Sequence, residues 1–177
     1  TALALQLGHR KSVDLDFFIP KQPSLQLVAK IQRFYQNIET IVRTGDEFSF
    51  ISPYQVKITF LFYPYEPLYK TIETPDTSLF SWKDIALDKA YTIGRRQEWR
   101  DYVDIYYCIQ KGFSLQKLIR ESEKKFGDAF SAKLFLSQLV YLDDLAESES
   151  VEFIGEAVTR KEVRLFFEKE IKNLKLV

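Results

Sequence analysis

The 177-residue chain has little cysteine, little histidine and no net charge, and each shortage excludes a class of protein. Its single cysteine, Cys108, cannot form an internal disulfide, which excludes a disulfide-stabilised secreted scaffold and fits a reducing cytoplasm. Its single histidine, His9, has no second histidine with which to build a metal centre. Twenty-five Lys and Arg balance 25 Asp and Glu, so no global positive field favours nucleic acid or a membrane surface.

Long hydrophobic runs are also missing, since no apolar stretch approaches the ~20 residues of a membrane span and no signal peptide is recognisable. We therefore expect a cytoplasmic protein with no membrane partner. A hydrophobic content of 46% with 15% aromatic residues is ample for one compact domain or two small lobes. Cys108 lies in an apolar helical stretch, where packing in a core is a commoner role than catalysis.

The segment Gly8 to Phe18, GHRKSVDLDFF, is the most informative stretch and predicts a turn followed by a short strand. Because strand side chains alternate, Asp14 and Asp16 share one face, about 6 to 7 Å apart at the backbone. Two like charges this close are costly unless a cation lies between them, and Mg²⁺ binds one or two carboxylates together with substrate phosphates. These two aspartates are candidate metal ligands; the alternative is an edge strand whose aspartates are solvated.

The sequence TALALQLGHRKSVDLDFF resembles the first motif of the AbiEii/AbiGii toxin family of nucleotidyltransferases, within the DNA polymerase β-like superfamily. There a Gly-Gly-Thr turn opens a short helix, and an Arg-x-Ser-x-Asp-x-Asp segment follows. The matching positions are Thr1, Arg10, Ser12, Asp14 and Asp16. The glycine pair is absent, so we expect either a leading strand and turn upstream of Thr1 or removal of an initiator residue.

Roles for the motif residues follow from this resemblance. It implies that Asp14 and Asp16 are catalytic and hold Mg²⁺, and that Arg10 and Ser12 contact nucleotide phosphate. For Arg10 and its neighbour Lys11 a solvated turn is the alternative. His9 is either a titratable group near the nucleotide or a turn residue.

The rest of the first half predicts a sheet with one packing helix. Ser24 can cap a helix whose apolar residues recur at helical spacing. Three further strands are predicted at 39–43, 47–52 and 55–63. Enzymes of the superfamily place a third carboxylate on a later strand, and Thr59 holds that position here. Glu66, Asp46 or Glu47 could substitute from outside that strand, and the sequence does not choose among them.

A second informative region begins at Ser81, which with Asp84 predicts a capping-box-like start to a helix that runs to Arg96. A further helix, EWRDYVDIYYCIQ, ends before Gly112. The stretches DIALDKAYTIGRR and RDYVDIYY resemble the third and fourth motifs of the same family. The match implies that Lys89 is both catalytic and nucleotide-binding, and that Arg95 or Arg96 also binds the nucleotide. It implies that Asp101 and Asp104 are catalytic.

Each of these assignments has an alternative. Lys89 could be a helix-surface lysine paired with a nearby acid. Asp104 could pair with Arg100 or orient Lys89, and a structural role for Asp101 and Asp104 is as compatible with the sequence as a catalytic one. Helices are predicted after this region at Ser114–Gly127, at Ala129–Leu145 and from Thr159, where Glu162 completes a capping box.

Taken together, the sequence predicts an α+β protein with a small mixed-sheet nucleotidyltransferase lobe, residues 1–80, N-terminally incomplete, and a helical lobe, residues 81–177. The resemblance implies a Mg²⁺-dependent nucleotidyltransferase, the toxin of a bacterial toxin–antitoxin or phage-defence system. Its partners would be an NTP, an RNA (tRNA included) or protein acceptor, and a cognate antitoxin protein. A local basic patch at Arg95, Arg96 and Arg100 would serve an RNA. The alternative is a degenerate protein that binds a partner or nucleotide without chemistry.

Overall fold

The computed structural model describes residues 1–96, 98–143, 145 and 150–174. Contacts divide the chain into two compact units, one made of Thr1 with Ser12–Tyr65 and the other of Ala2–Lys11 with Glu66–Val177. We call them the sheet unit and the helical unit. The division predicted at residue 80 stays a prediction, and the contacts assign 2–11 and 66–80 to the helical unit.

The α+β class is confirmed. In chain order the α-helices within the described ranges are α1 Ala2–Leu7, α2 Leu25–Phe34, α3 Trp82–Thr92, α4 Trp99–Gln110, α5 Leu115–Phe126, α6 Ala132–Leu139 and α7 Arg160–Lys172. The strands are β1 Leu15–Ile19, β2 Glu39–Arg43, β3 Glu47–Ile51, β4 Lys57–Phe62, β5 Ile72–Glu73 and β6 Ser78–Leu79. No helix among the described residues is long and apolar enough to cross a membrane.

The sheet unit contains a mixed four-stranded sheet in the order β1-β4-β3-β2. β1 runs parallel to β4, whereas β4 with β3 and β3 with β2 are antiparallel. Alternate side chains of β3 and β4 face α2. Together with α2 they form a core of Val28, Ile31, Phe48, Phe50 and Ile58. The Ser24 hydroxyl caps α2 by accepting from Leu27 N. The opposite face of the sheet carries Asp16, Ser49 and Thr59 together with apolar residues.

In the helical unit α3 packs against both α4 and α5, and α4 also packs against α7. The apolar positions at helical spacing supply its core, which includes Leu87, Val103, Ile105, Leu118, Val163 and Phe167. Cys108 is fully buried among them, as the apolar stretch around it predicted. The small β5-β6 hairpin also belongs to this unit.

Local signals predicted most helix starts but not all helix ends. The capping box of Thr159 and Glu162 is present at α7. The extension of α3 to Arg96 was wrong, because Gly94 adopts a φ of 84° and ends the helix after Thr92. The predicted helix Ala129–Leu145 was too long, since Gly127–Ala129 forms a 3₁₀ turn and α6 stops at Leu139. Leu142 and Leu145 are buried, although neither lies in a helix. Position 144 lies outside the described residues.

Candidate functional site

The first motif brings three of its residues together in the sheet unit. The Thr1 hydroxyl lies 3.2 Å from the Ser12 hydroxyl and donates to the backbone carbonyl of Asp14. Asp14 directly precedes β1 and is half-buried, whereas Asp16 lies within β1 and is exposed. Strand β1 begins at Leu15, so Asp14 is the residue immediately before the strand.

A row of hydroxyl side chains crosses the sheet beside Asp16. The parallel register pairs Asp16 with Thr59, and the antiparallel register pairs Thr59 with Ser49. The Ser49 hydroxyl lies 3.4 Å from Thr59 Oγ1 and donates to the Glu47 carboxylate. The position next to Asp16 is therefore occupied by a buried threonine and not by a carboxylate.

This donor set suits one hard divalent cation. Mg²⁺ is commonly held by one or two carboxylates, with phosphates and water as the other ligands, and Asp14 and Asp16 are such a pair. The described residues contain no cluster of three His, Cys, Asp or Glu able to hold a metal. Asp46, for instance, accepts from Gln22 Nε2 at 2.8 Å. Among the described residues of the sheet unit, a third carboxylate from Asp46 or Glu47 is thus not in place, and the substitution by Glu66 stays a prediction.

A buried ion network occupies the helical unit, and Asp104 is one of its two centres. Asp104 has no exposed surface. Its Oδ1 accepts from His9 Nε2 at 2.8 Å and from Arg10 Nε at 2.7 Å, while Oδ2 accepts from Arg10 Nη2 at 2.9 Å. Lys89 Nζ lies 3.2 Å from the same Oδ2. The Arg10 guanidinium therefore donates to both carboxylate oxygens of Asp104, a bidentate geometry that is the strongest for such a pair.

Asp101 is the second centre, one helical turn earlier on α4 and equally buried. It accepts from Lys89 Nζ at 2.5 Å, from Arg96 Nε and Nη2 at 2.8 and 3.0 Å, and from the Thr92 hydroxyl at 3.3 Å. Residues three apart share a helix face, so both carboxylates point at the same lysine. Lys89 thus bridges Asp101 and Asp104.

The cations decide the protonation of both aspartates. Burial alone would raise the pKa of Asp104, but Lys89, Arg10 and His9 outweigh burial and hold it well below its usual value. The pKa of Asp101 is lowered in the same way, with burial opposed by Lys89 and Arg96. Asp101 in turn raises the pKa of Arg96 against the effect of burial. Asp101, Asp104 and Arg96 are therefore charged at neutral pH.

His9 and Cys108 are two further buried groups influenced by Asp104. Among the described atoms, His9 Nδ1 is buried without a hydrogen-bond partner, and its ring centroid lies 4.9 Å from that of Tyr107. His9 is thus a buried partner of Asp104 and not a solvated turn residue. Burial, followed by the charge of Asp104, raises the pKa of the Cys108 thiol, which keeps the thiol protonated and unreactive.

The predicted arginines separate into different environments. Arg96 joins the network, whereas Arg95 donates to the carbonyls of Tyr91 and Ala129 at 2.5 Å each and stacks 3.9 Å from the Tyr91 ring centroid. Arg100 donates to Glu98 at 2.6 Å, and the partners of Asp104 are those described above. Lys11 is not part of the network and pairs with Glu152 on the surface.

Sequence reasoning missed a second buried ion cluster. Asp84 accepts from the backbone N–H groups of Leu68 and Tyr69, both at 2.8 Å, and from Lys125 Nζ at 3.1 Å. Lys125 also donates to Asp88 at 2.9 Å. Ser81 caps α3 as predicted, by accepting from Lys83 N, but Asp84 does not complete a capping box, because its carboxylate faces the interior. The four-residue spacing of Asp84 and Asp88, which puts both on one helix face, was the available signal.

Comparison with known proteins identifies the family of the chain. A profile described as "Nucleotidyl transferase AbiEii toxin, Type IV TA system" matches residues 1–175. A relative from Aquifex aeolicus (strain VF5), "Uncharacterized protein aq_aa25", is 28% identical over 187 residues, covering 98% of this chain and 84% of the relative.

Two crystal structures share the fold. One is a "putative nucleotidyltransferase from H. pylori", at a TM-score of 0.56 and 14% identity, covering 97% of this chain and 81% of the other. The other is JHP933 from Helicobacter pylori, at a TM-score of 0.53 and 16% identity, covering 97% and 79%. The chain belongs to the AbiEii nucleotidyl transferase toxin family of type IV toxin–antitoxin systems.

Proposed function

We propose that this chain is the toxin enzyme of its toxin–antitoxin pair and transfers a nucleoside monophosphate from an NTP to an RNA or protein acceptor, with Mg²⁺. An acceptor hydroxyl oxygen forms a bond to the α-phosphorus, the bond from that phosphorus to the bridging oxygen breaks, and pyrophosphate leaves. The hydroxyl proton passes to solvent. Family membership supports the transferase class, and the chemistry of the side chains supports the individual roles.

The observation that carries the proposal is the way Lys89 is held. A lysine ammonium has three N–H donors; Asp101 accepts one of them, and Asp104 Oδ2 lies 3.2 Å from Nζ. The Lys89 side chain is 15% exposed, so a remaining donor is available to a phosphate oxygen. A fixed counter-charge of this kind stabilises the charge that spreads over phosphate oxygens during transfer. Arg96, with its side chain 42% exposed, would contribute a second.

The two carboxylates of the sheet unit have the complementary role. Asp14 and Asp16 would hold Mg²⁺, which when bound supplies counter-charge to phosphate oxygens and orients them. The Ser12 hydroxyl, placed by Thr1 next to Asp14, would donate to a phosphate. Because the described residues contain no group of three metal-ligating side chains, the substrate phosphates would supply the remaining anionic ligands.

Asp101, Asp104 and Arg10 act through Lys89 and are best described as positioning residues. Neither aspartate has exposed surface, and Arg10 is only 7% exposed. The nitrogens of Arg10 are used by Asp104 and by the backbone carbonyl of Lys11 at 3.0 Å. We therefore assign Arg10 to orienting Asp104, in place of the phosphate contact that the motif implies.

One observation favours a second function, a protein that binds nucleotide or a partner without chemistry. Thr59 stands beside Asp16 where a third carboxylate would complete a two-metal site. A single-ion site binds NTP but stabilises the leaving oxygen less. The two functions differ in labelled-product formation and not in nucleotide binding.

Calorimetric titration of each NTP with Mg²⁺ tests the nucleotide site. We expect Mg²⁺-dependent binding by the wild type and none by the Asp14→Asn/Asp16→Asn variant. The matched control is Asp76→Asn/Asp128→Asn, which removes two exposed carboxylates elsewhere and should bind as the wild type does. Equal binding by all three proteins, or by none, would refute the assignment. Incubation with α-labelled NTP and total RNA or protein then separates transfer from binding alone.

A further inference from the structure

A surface of the helical unit combines three lysines with three aromatic rings, and we call it the lysine–aromatic patch. Its members are Tyr69, Trp82, Lys83, Lys111, Phe113 and Lys117. Phe113 is buried and forms the floor, with the rings of Tyr69 and Trp82 edge-on to it at centroid distances of 6.2 and 5.9 Å. Both flanking rings are half-buried and keep exposed surface.

The lysines of the patch lie over these rings. Lys83 Nζ is 5.1 Å from the Tyr69 centroid and 5.6 Å from the Trp82 centroid. Lys111 Nζ is 5.5 Å from the Trp82 centroid, and Lys117 Nζ is 5.8 Å from the Tyr69 centroid. Each ring therefore has two ammonium groups close to it, and like charges are concentrated in a small area.

Little negative charge balances these lysines. Across the ranges that the structure describes, Lys83 and Lys111 pair with no carboxylate, and Lys111 donates to the Gln6 carbonyl at 3.3 Å. Lys117 lies 3.7 Å from Glu121, but that carboxylate also accepts from the Tyr69 hydroxyl and faces Arg120. In a chain of zero net charge, the patch is a local positive field.

We propose that the lysine–aromatic patch binds a single-stranded end of an RNA, the acceptor of the proposed transfer reaction. Ammonium groups neutralise phosphates, and exposed Trp and Tyr rings stack bases without sequence preference. The RNA identity of the acceptor rests on the proposed function, whereas the binding itself needs no transfer. The basic patch predicted at Arg95, Arg96 and Arg100 is less suited, because carbonyls, Asp101 and Glu98 engage those arginines.

The charge component is tested by fluorescence anisotropy with a labelled single-stranded RNA of about a dozen nucleotides. The variant Lys83→Ala/Lys111→Ala/Lys117→Ala should bind at least tenfold more weakly. Its plot of log K against log salt should be shallower by about 2, since each lost phosphate contact removes roughly 0.7 from the slope. The matched control, Lys161→Ala/Lys169→Ala/Lys172→Ala, removes equal charge from exposed sites on α7 and should retain wild-type binding and slope. Equal losses in both triple variants would overturn the proposal.

The stacking component has its own signal, because the chain has only two tryptophans and Trp99 is buried. Single-stranded RNA should quench the tryptophan fluorescence of the wild type, and Trp82→Phe should abolish the quenching while Trp99 still fluoresces. Quenching that persists in Trp82→Phe, or a duplex that binds and quenches equally well, would overturn the single-strand assignment.

Both measurements are repeated without NTP in the Asp14→Asn/Asp16→Asn background. RNA binding retained there supports the patch even if the transferase proposal fails. Loss of RNA binding in the lysine triple variant with NTP affinity unchanged isolates the patch from the nucleotide site. A wild type that binds NTP but no RNA overturns the patch and leaves the transferase proposal with a protein acceptor.

Discussion

Lys89 is the residue on which the proposed chemistry depends, and its surroundings make it a clean target. In a Lys89→Gln variant Asp101 keeps Arg96, and Asp104 keeps Arg10 and His9, so neither carboxylate is left without a donor. We expect the fold to persist. A charge-assisted hydrogen bond is worth about 1.5–3 kcal/mol, so NTP affinity should fall roughly tenfold to 150-fold.

Calorimetry of the variant checks this expectation, with Lys133→Gln on an exposed position of α6 as the control. An unchanged NTP affinity in Lys89→Gln would remove the lysine from the nucleotide site. Its position between two aspartates would then be structural alone.

The buried aspartates should set the acid limit of stability. Both have a lower pKa in the folded chain than the ~3.9 of an unfolded aspartate, so the unfolded state binds more protons in acid. Their contribution is present in full above the unfolded pKa and is lost as pH falls through the folded pKa values. We expect the free energy of unfolding to fall below about pH 5.

Removal of the Asp104 charge tests the same balance. Asp104→Asn leaves Arg10 and Lys89 without that counter-charge in a buried setting, which should cost about 3–5 kcal/mol at pH 7. Denaturant titrations from pH 7 to pH 3 should show a weaker acid dependence in this variant than in the wild type. Parallel pH curves would contradict the lowered pKa.

Local patterns predicted what these residues are and not what they contact. The strand alternation correctly put Asp16 in a strand, and the helical spacing put Lys89 and Asp104 in helices. The contact from Arg10 to Asp104 spans 94 residues, and no local periodicity carries that information. The choice between Arg95 and Arg96 likewise depends on the backbone turn after α3, which a single glycine sets.

At the level of elements, Gly94 ends α3 and leaves room for a side chain of the neighbouring helix α6. Gly94 has a φ of 84°, and a Cβ at this position would lie 2.8 Å from Cγ of Gln138 on α6. Gly94→Ala therefore combines a left-handed backbone penalty of about 1–2 kcal/mol with a steric clash. We expect a larger loss of unfolding free energy than the backbone term alone gives.

A double variant separates the two terms. Gly94→Ala/Gln138→Ala should recover the steric part and keep the backbone part, so the two single changes will not add in denaturant titrations. If the losses of unfolding free energy in the two single variants add, the whole cost of Gly94→Ala comes from the backbone conformation.

The hydroxyl side chains beside Asp16 in the sheet lead to a second prediction at the level of elements. Thr59→Asp puts a buried carboxylate next to Asp16, which should destabilise the metal-free protein through like-charge repulsion and desolvation. Mg²⁺ should restore stability and bind more tightly than in the wild type, as measured by unfolding with and without the ion. Thr59→Val is the control and should show no gain in Mg²⁺ affinity.

For the whole molecule, local patterns predict the class of each half, whereas the contacts that group residues into units are not visible in such patterns. Alternation and capping signals are local, so the strands, α2, α4, α5 and the start of α7 follow from them. The assignment of residues 2–11 to the helical unit depends on contacts such as Gln6 with Phe80, which are made between distant parts of the chain. Zero net charge likewise concealed a local cluster of lysines, because composition averages over the surface.

Ligand binding should be visible in the stability of the whole chain. A ligand that binds only the folded state adds RT ln(1 + [L]/Kd), which is about 2.7 kcal/mol at a hundred times Kd. At about 2–4 °C per kcal/mol for a chain of this size, NTP with Mg²⁺ should raise the Tm by roughly 5–11 °C. The Asp14→Asn/Asp16→Asn variant should show no rise, whereas Asp76→Asn/Asp128→Asn should match the wild type. A rise of equal size in the first variant would mean that NTP binds without these carboxylates, and the metal-holding role proposed for them would then be wrong.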